Sequence, residues 1–129
     1  MTGPLTLTSL ELLREGMDLE VKRAGGRDGR GAVPRDFWPT YSAFANTRGG
    51  RVVLGVREKQ DRSLQVTGLG DPEQVRRDLW NGLGDPNKVS ACVVAEEDVR
   101  IEEVEGRSVL VIDVPRAPRS ARPIYLDGD

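Results

Sequence analysis

The segment Ser42-Ala43-Phe44-Ala45-Asn46-Thr47-Arg48-Gly49-Gly50-Arg51-Val52-Val53-Leu54-Gly55-Val56 constrains this chain more than any other. Just upstream, Phe37, Tyr41 and Phe44 recur at i, i+4 and i+7, the spacing that lines one face of a helix. Asp36 stands at the N-cap position, and Pro39 is tolerated because it falls in the first turn. Gly49 closes that helix, since glycine reaches the left-handed conformation without a Cβ clash, and Gly50 lets a strand begin at once. The apolar run from Arg51 to Val56 then reads as a central strand. A helix that feeds directly into a buried strand demands layered packing. Folding alone accounts for Phe44, Ala45, Gly49 and Gly50, while Asn46 and Thr47 either cap the helix end or face a ligand.

Elements on either side extend this unit. Thr8 followed by Glu11 has the form of a capping box, with Leu7 and Leu12 as its hydrophobic staple and Leu10 and Leu13 beginning a buried stripe that ends near Glu15 and Gly16. Leu19-Glu20-Val21-Lys22 alternates as a half-buried strand does, and a glycine-rich basic loop follows from Gly25 to Gly31. Beyond the central strand, the polar turn from Lys59 to Ser63 leads to a strand from Leu64 to Thr67, which predicts a β-hairpin. Asp71-Pro72-Glu73 starts a helix whose stripe is Val75, Leu79 and Leu83 and which stops near Gly84. Val89 to Ala95, Val99 to Val104 and Ser108 to Val114 are three further strand candidates, the last two joined at Glu105-Gly106. A basic connector from Pro115 to Pro123 runs into Ile124-Tyr125-Leu126. The expected fold class is α+β, a mixed or antiparallel sheet packed with two to three helices. At 129 residues the chain reads as one domain, 1–129, which in a longer protein would be an N-terminal piece.

Composition excludes several functions. With no histidine, Ser-His-Asp and Cys-His systems and the usual zinc sites are absent. Cys92 is the one cysteine, which excludes an intramolecular disulfide, and its apolar neighbours predict a packed, inert thiol. No window approaches the ~18 apolar residues of a membrane span and no signal-peptide pattern opens the chain, so a cytoplasmic location is expected. Gly25 to Gly31 lacks the Gly-Lys-Ser/Thr of a P-loop, and Gly68-Leu69-Gly70 lacks the third glycine of a dinucleotide fingerprint. The net charge of −2 argues against indiscriminate coating of nucleic acid. Charge is segregated, however: Lys22 to Arg62 holds ten Lys/Arg against four acids, and Glu96 to Asp113 holds seven acids against two arginines. One basic and one acidic face, or two solvated surfaces, would both satisfy that distribution.

Four motifs together resemble the Schlafen AlbA-like family. Glu15-Gly16-Met17-Asp18-Leu19-Glu20-Val21-Lys22 is similar to the family's Glu-x4-Glu-Phe-Lys with Val21 in place of the aromatic. The block from Ser42 to Val56 is the specific one. Val66-Thr67-Gly68-Leu69 and Arg122-Pro123-Ile124-Tyr125 complete the set. The resemblance implies a nucleic-acid-binding domain, DNA-binding in bacterial-type transcriptional regulators, with Lys22, Arg48, Arg51, Arg57 and Lys59 as the residues that meet the phosphate backbone of DNA or RNA. Nuclease members of the family imply an alternative, a ribonuclease with Mg²⁺ or Mn²⁺ held by three acids. The matching positions here are Glu15, Glu20 and Glu58, the last standing where the family usually has Asp. Oxygen ligands suit such an ion, which activates water and offsets phosphodiester charge. Glu15 and Glu20 lie on opposite faces of a strand and about 140° apart on a helix, so they converge only if the chain bends at Gly16. Lys22, Arg57 and Lys59 either contact phosphate or remain solvated. A protein-interaction module is the third alternative, favoured by the acidic net charge, and a homo-oligomer is compatible with all three.

Overall fold

The computed structural model describes residues 6–16, 19–25 and 31–126, and the side chains of residues 13–16 fall outside that description. Its elements are α1 (Leu7–Gly16), β1 (Leu19–Lys22), α2 (Phe37–Ala45), β2 (Gly50–Leu54), β3 (Val56–Glu58), β4 (Leu64–Val66), α3 (Pro72–Leu83), β5 (Val99–Val104) and β6 (Arg107–Val114). The first turn of α1 is capped two residues earlier than the Thr8–Glu11 spacing predicts: Ser9 N donates to Thr6 Oγ1 at 3.0 Å, and Thr6 N donates to Ser9 Oγ at 2.8 Å. The Leu7–Leu12 staple does not form, because Leu12 is 65% exposed while Leu7 packs inward. Asp36 precedes α2 but makes no capping bond with its side chain. Asp71 caps α3 by accepting from Gln74 N at 3.0 Å, with Pro72 opening the helix as expected.

Four strands form a mixed sheet in the order β1-β2-β6-β5, with β1 parallel to β2 and the remaining pairs antiparallel. The parallel pair follows from the intervening α2, since a parallel return needs a crossover. Strand alternation then sorts residues onto two faces. Val52, Leu54, Leu110 and Ile112 join Phe37, Tyr41, Val75, Leu79 and Leu83 in a core beneath α2 and α3. Val53, Val109 and Val111 turn the other way, onto Leu10 of α1 and onto Val56 and Leu64 of a separate two-stranded sheet, β3-β4. The run from Arg51 to Val56 is therefore two strands rather than one. Gly55, at φ +105°, bends the chain out of the central sheet, a conformation that favours glycine.

The α2–β2 junction matches its sequence signature. Gly49 has φ +83°, and a Cβ there would lie 2.6 Å from Val114 O. A Cβ on Gly50 would lie 2.7 Å from the Phe44 ring. Both glycines are thus required by close approach, and Gly49 by conformation as well.

Val89 to Ala95 is not a strand. Val89 makes one isolated bridge to Leu126, and β5 is an edge of the sheet. Side chains supply partners instead: Tyr41 OH donates to Ala91 O at 2.7 Å and accepts from Val93 N at 3.1 Å, and Ser90 exchanges hydrogen bonds with Tyr125. Without a ladder to bury it, Cys92 is exposed, which corrects the packed thiol expected from its apolar neighbours. Among the described residues no helix is long and apolar enough to cross a membrane.

Candidate nucleic-acid interface

The five expected cationic residues are carried by β1, the start of β2 and the β3–β4 hairpin. Arg48 and Arg51 stand at the start of β2, whereas Arg57 and Lys59 lie beyond the Gly55 bend at its far end. Lys22 ends β1 on the α2 face, where Nζ lies 3.3 Å from Asp36 Oδ2 and the side chain is only 11% exposed.

Arg51 is held within the fold. Its Nε donates to Asp113 Oδ1 at 2.6 Å across the β2–β6 pair, and Arg100 Nη1 reaches Asp113 Oδ2 at 2.9 Å from β5. Arg100 Nε also donates to Glu102 at 3.0 Å. The basic and acidic segments of the sequence therefore meet across the sheet. Partial burial alone would push the Asp113 carboxyl up, but hydrogen bonds from Arg51 and Arg100 and their charges outweigh it and hold Asp113 below the usual carboxylate range.

The β3–β4 hairpin is organised differently. Arg57 is exposed, and its Nε donates to Gln65 Oε1 at 2.7 Å from the facing strand. At the tip, Lys59 N donates to Ser63 O and Arg62 N to Lys59 O, both at 2.8 Å. Asp61 Oδ1 accepts from both Ser63 N and Ser63 Oγ, at 3.0 and 2.6 Å, and these bonds hold its carboxyl below the usual range. Arg62 takes φ +72°, and Lys59 and Arg62 are both exposed. Asp61 is thus engaged within its own turn, while Lys59 and Arg62 are exposed on the loop and Arg57 and Glu58 are exposed on β3 beside it. Arg62 was not foreseen as a site residue; its signal was the Asp-Arg-Ser turn, read only as polar.

Of the three expected acids, Glu15 lies in the last turn of α1 with its side chain outside the described residues; Gly16, where their convergence needed a bend, is the last residue of α1, and residues 17–18 lie outside the described residues. Glu20 is exposed on edge strand β1, and Glu58 is exposed at the end of β3 in the other sheet. Among the described residues no three acidic or other ligating side chains are grouped to hold a metal ion.

Asn46 proves to be structural. Its Nδ2 donates to Ile124 O at 2.8 Å and its Oδ1 accepts from Ile124 N at 2.6 Å, while Ser42 Oγ donates to the same carbonyl at 2.7 Å. Two sequence motifs distant along the chain, the Ser42 block and Arg122-Pro123-Ile124-Tyr125, are one interaction. Thr47 Oγ1 donates to Ala43 O at 2.8 Å, closing the helix end.

Among the described residues this architecture, three α-helices around a mixed sheet with an appended hairpin, defines an α+β class with solved relatives. The chain is similar to the N-terminal domain of an ATP-dependent DNA helicase RecG-related protein from Nitrosomonas europaea, with 29% identity and a TM-score of 0.71 over 93% of this chain and 76% of that one. It also resembles in fold the DIP2311 protein from Corynebacterium diphtheriae, at 22% identity and a TM-score of 0.55, covering 90% of this chain but 20% of that one. No curated protein sequence matches it. The family model described as Schlafen, AlbA_2 matches residues 15–128, and the chain belongs to that family.

Proposed function

We propose that this chain is a DNA-binding domain that grips the phosphate backbone through the β3–β4 hairpin, serving a larger regulatory or DNA-processing protein. The observation that carries the proposal is the braced hairpin tip, where Arg57, Lys59 and Arg62 are exposed and the neighbouring Asp61 is engaged by Ser63. Cations held on a preorganised loop lose little entropy on meeting phosphates. The 29% identical neighbour, named for a DNA helicase, favours DNA as the partner. Lys22 and Arg51, already paired with Asp36 and Asp113, contribute less than the hairpin.

Salt dependence tests this directly. Each phosphate neutralised on B-DNA contributes about −0.9 to the slope of log K against log salt, so R57A/K59A/R62A reduces the magnitude of that slope by roughly 2.7. A triple variant with an unchanged slope would remove the hairpin from the interface.

A further inference from the structure

We propose that the open cleft between α3 and the start of β5 is a nucleobase site selective for guanine, separate from the hairpin and independent of the reading given to it. The cleft measures roughly 490 Å³ and is lined by Arg76, Trp80, Glu96 and Val99, within the range of about 300–1,000 Å³ typical of small-ligand sites. Arg76 and Trp80 sit at i and i+4 on α3 and so share one flank of the helix. Trp80 packs its body against the core beneath α2 and α3 yet is only half-buried, and it borders the cleft. A partly exposed indole fixed by core packing is a stacking platform for a heteroaromatic ring.

Glu96 supplies the selectivity. It opens a short 3-10 turn, Glu96–Asp98, that is fixed because Asp98 Oδ2 accepts from Ala95 N at 2.9 Å. A carboxylate only accepts hydrogen bonds. The Watson–Crick edge of guanine offers two adjacent donors, N1–H and N2–H₂, whereas adenine and uracil place an acceptor beside their donor. Arg76 is paired with Glu73, but Glu73 is exposed and Arg76 only half-buried, and such a pair is weak enough to yield to a phosphate. Glu96 and Glu97 are exposed beside the cleft and oppose a duplex backbone there, which leaves a single guanine, from a free nucleotide or an unpaired strand.

The test uses intrinsic fluorescence, because the chain has two tryptophans and Trp38 is 9% exposed. GMP and AMP are titrated into the wild type, E96Q and R57A/K59A/R62A, with amide NMR shifts as a second readout. GMP is expected to quench saturably and to shift the amides of residues 76–80 and 96–99. E96Q should weaken GMP about tenfold, as loss of one charge-assisted hydrogen bond requires, and leave AMP nearly unchanged. The hairpin variant should bind GMP as the wild type does, so failure of one site is distinguishable from failure of the other. A guanine-containing single-stranded oligonucleotide that binds more tightly than GMP assigns the source to a strand; equal or weaker binding assigns it to the free nucleotide. No saturable response to GMP, equal responses to GMP and AMP, or an E96Q variant that binds GMP like the wild type would overturn the proposal.

Discussion

Replacing Asn46 by alanine removes the clamp on the C-terminal segment. The amide makes two bonds to the Ile124 backbone, at 2.8 and 2.6 Å, and Ile124 itself is 1% exposed. After N46A, Ile124 O keeps Ser42 Oγ, but Ile124 N loses its partner in a region closed to water. An unsatisfied buried donor costs about 1–3 kcal/mol and the second lost bond about 1 kcal/mol, so N46A should destabilise by roughly 2–4 kcal/mol. For a chain of this length that lowers Tm by roughly 10 °C. N46D retains the acceptor but sets a carboxylate oxygen against the Ile124 carbonyl, and it should lose a similar amount. Urea unfolding followed by circular dichroism gives the free energies, and hydrogen exchange at the Ile124 amide reports the clamp itself. If both variants unfold within about 0.5 kcal/mol of the wild type, the motifs are not joined as described.

Three further predictions concern the junction and the titrating groups. G49A places a Cβ against Val114 O at a φ of +83°, so it should cost at least about 3 kcal/mol by urea unfolding; a loss under about 1 kcal/mol would mean the junction relaxes freely. Asp113 has a depressed pKa in the fold, so its stabilisation is complete above the unfolded value of about 3.9 and is lost as pH falls through the folded value. Below pH ~4 the wild type should therefore lose more stability than D113N, and parallel acid-unfolding curves would refute this. Tyr41 is pushed up to about 12 by burial, which favours the neutral phenol in the fold. Stability from Tyr41 is present below its unfolded value of about 10 and is lost as pH rises towards 12, so alkaline unfolding should be steeper for the wild type than for Y41F.

Periodicity and turn chemistry made much of the fold legible. The stripe Phe37, Tyr41, Phe44, the Gly49-Gly50 junction and the Asp71-Pro72 helix start all depend on neighbours in sequence, and the structure has each where expected. Local signals failed at helix starts, where the Thr8 capping box, the Leu7–Leu12 staple and the Asp36 cap did not form, and most other failures depended on contacts distant along the chain. Val89 to Ala95 is apolar enough for a strand, but its backbone partners are Tyr41 and Tyr125, which no local pattern announces. The break at Gly55 was hidden inside an unbroken apolar run. At the candidate site, Arg51 and Lys22 read as phosphate-binding candidates, and their partners Asp113 and Asp36 approach them only in three dimensions. Asn46 was left between a helix cap and a ligand contact, and its true partner lies 78 residues away.

Chemical-shift mapping of the isotopically labelled chain against a short DNA duplex at low salt tests the central claim most directly. The account predicts the largest amide changes from Val56 to Val66, saturating with DNA and fading as salt is raised. Shifts confined to other surfaces, or none in the hairpin, would contradict it.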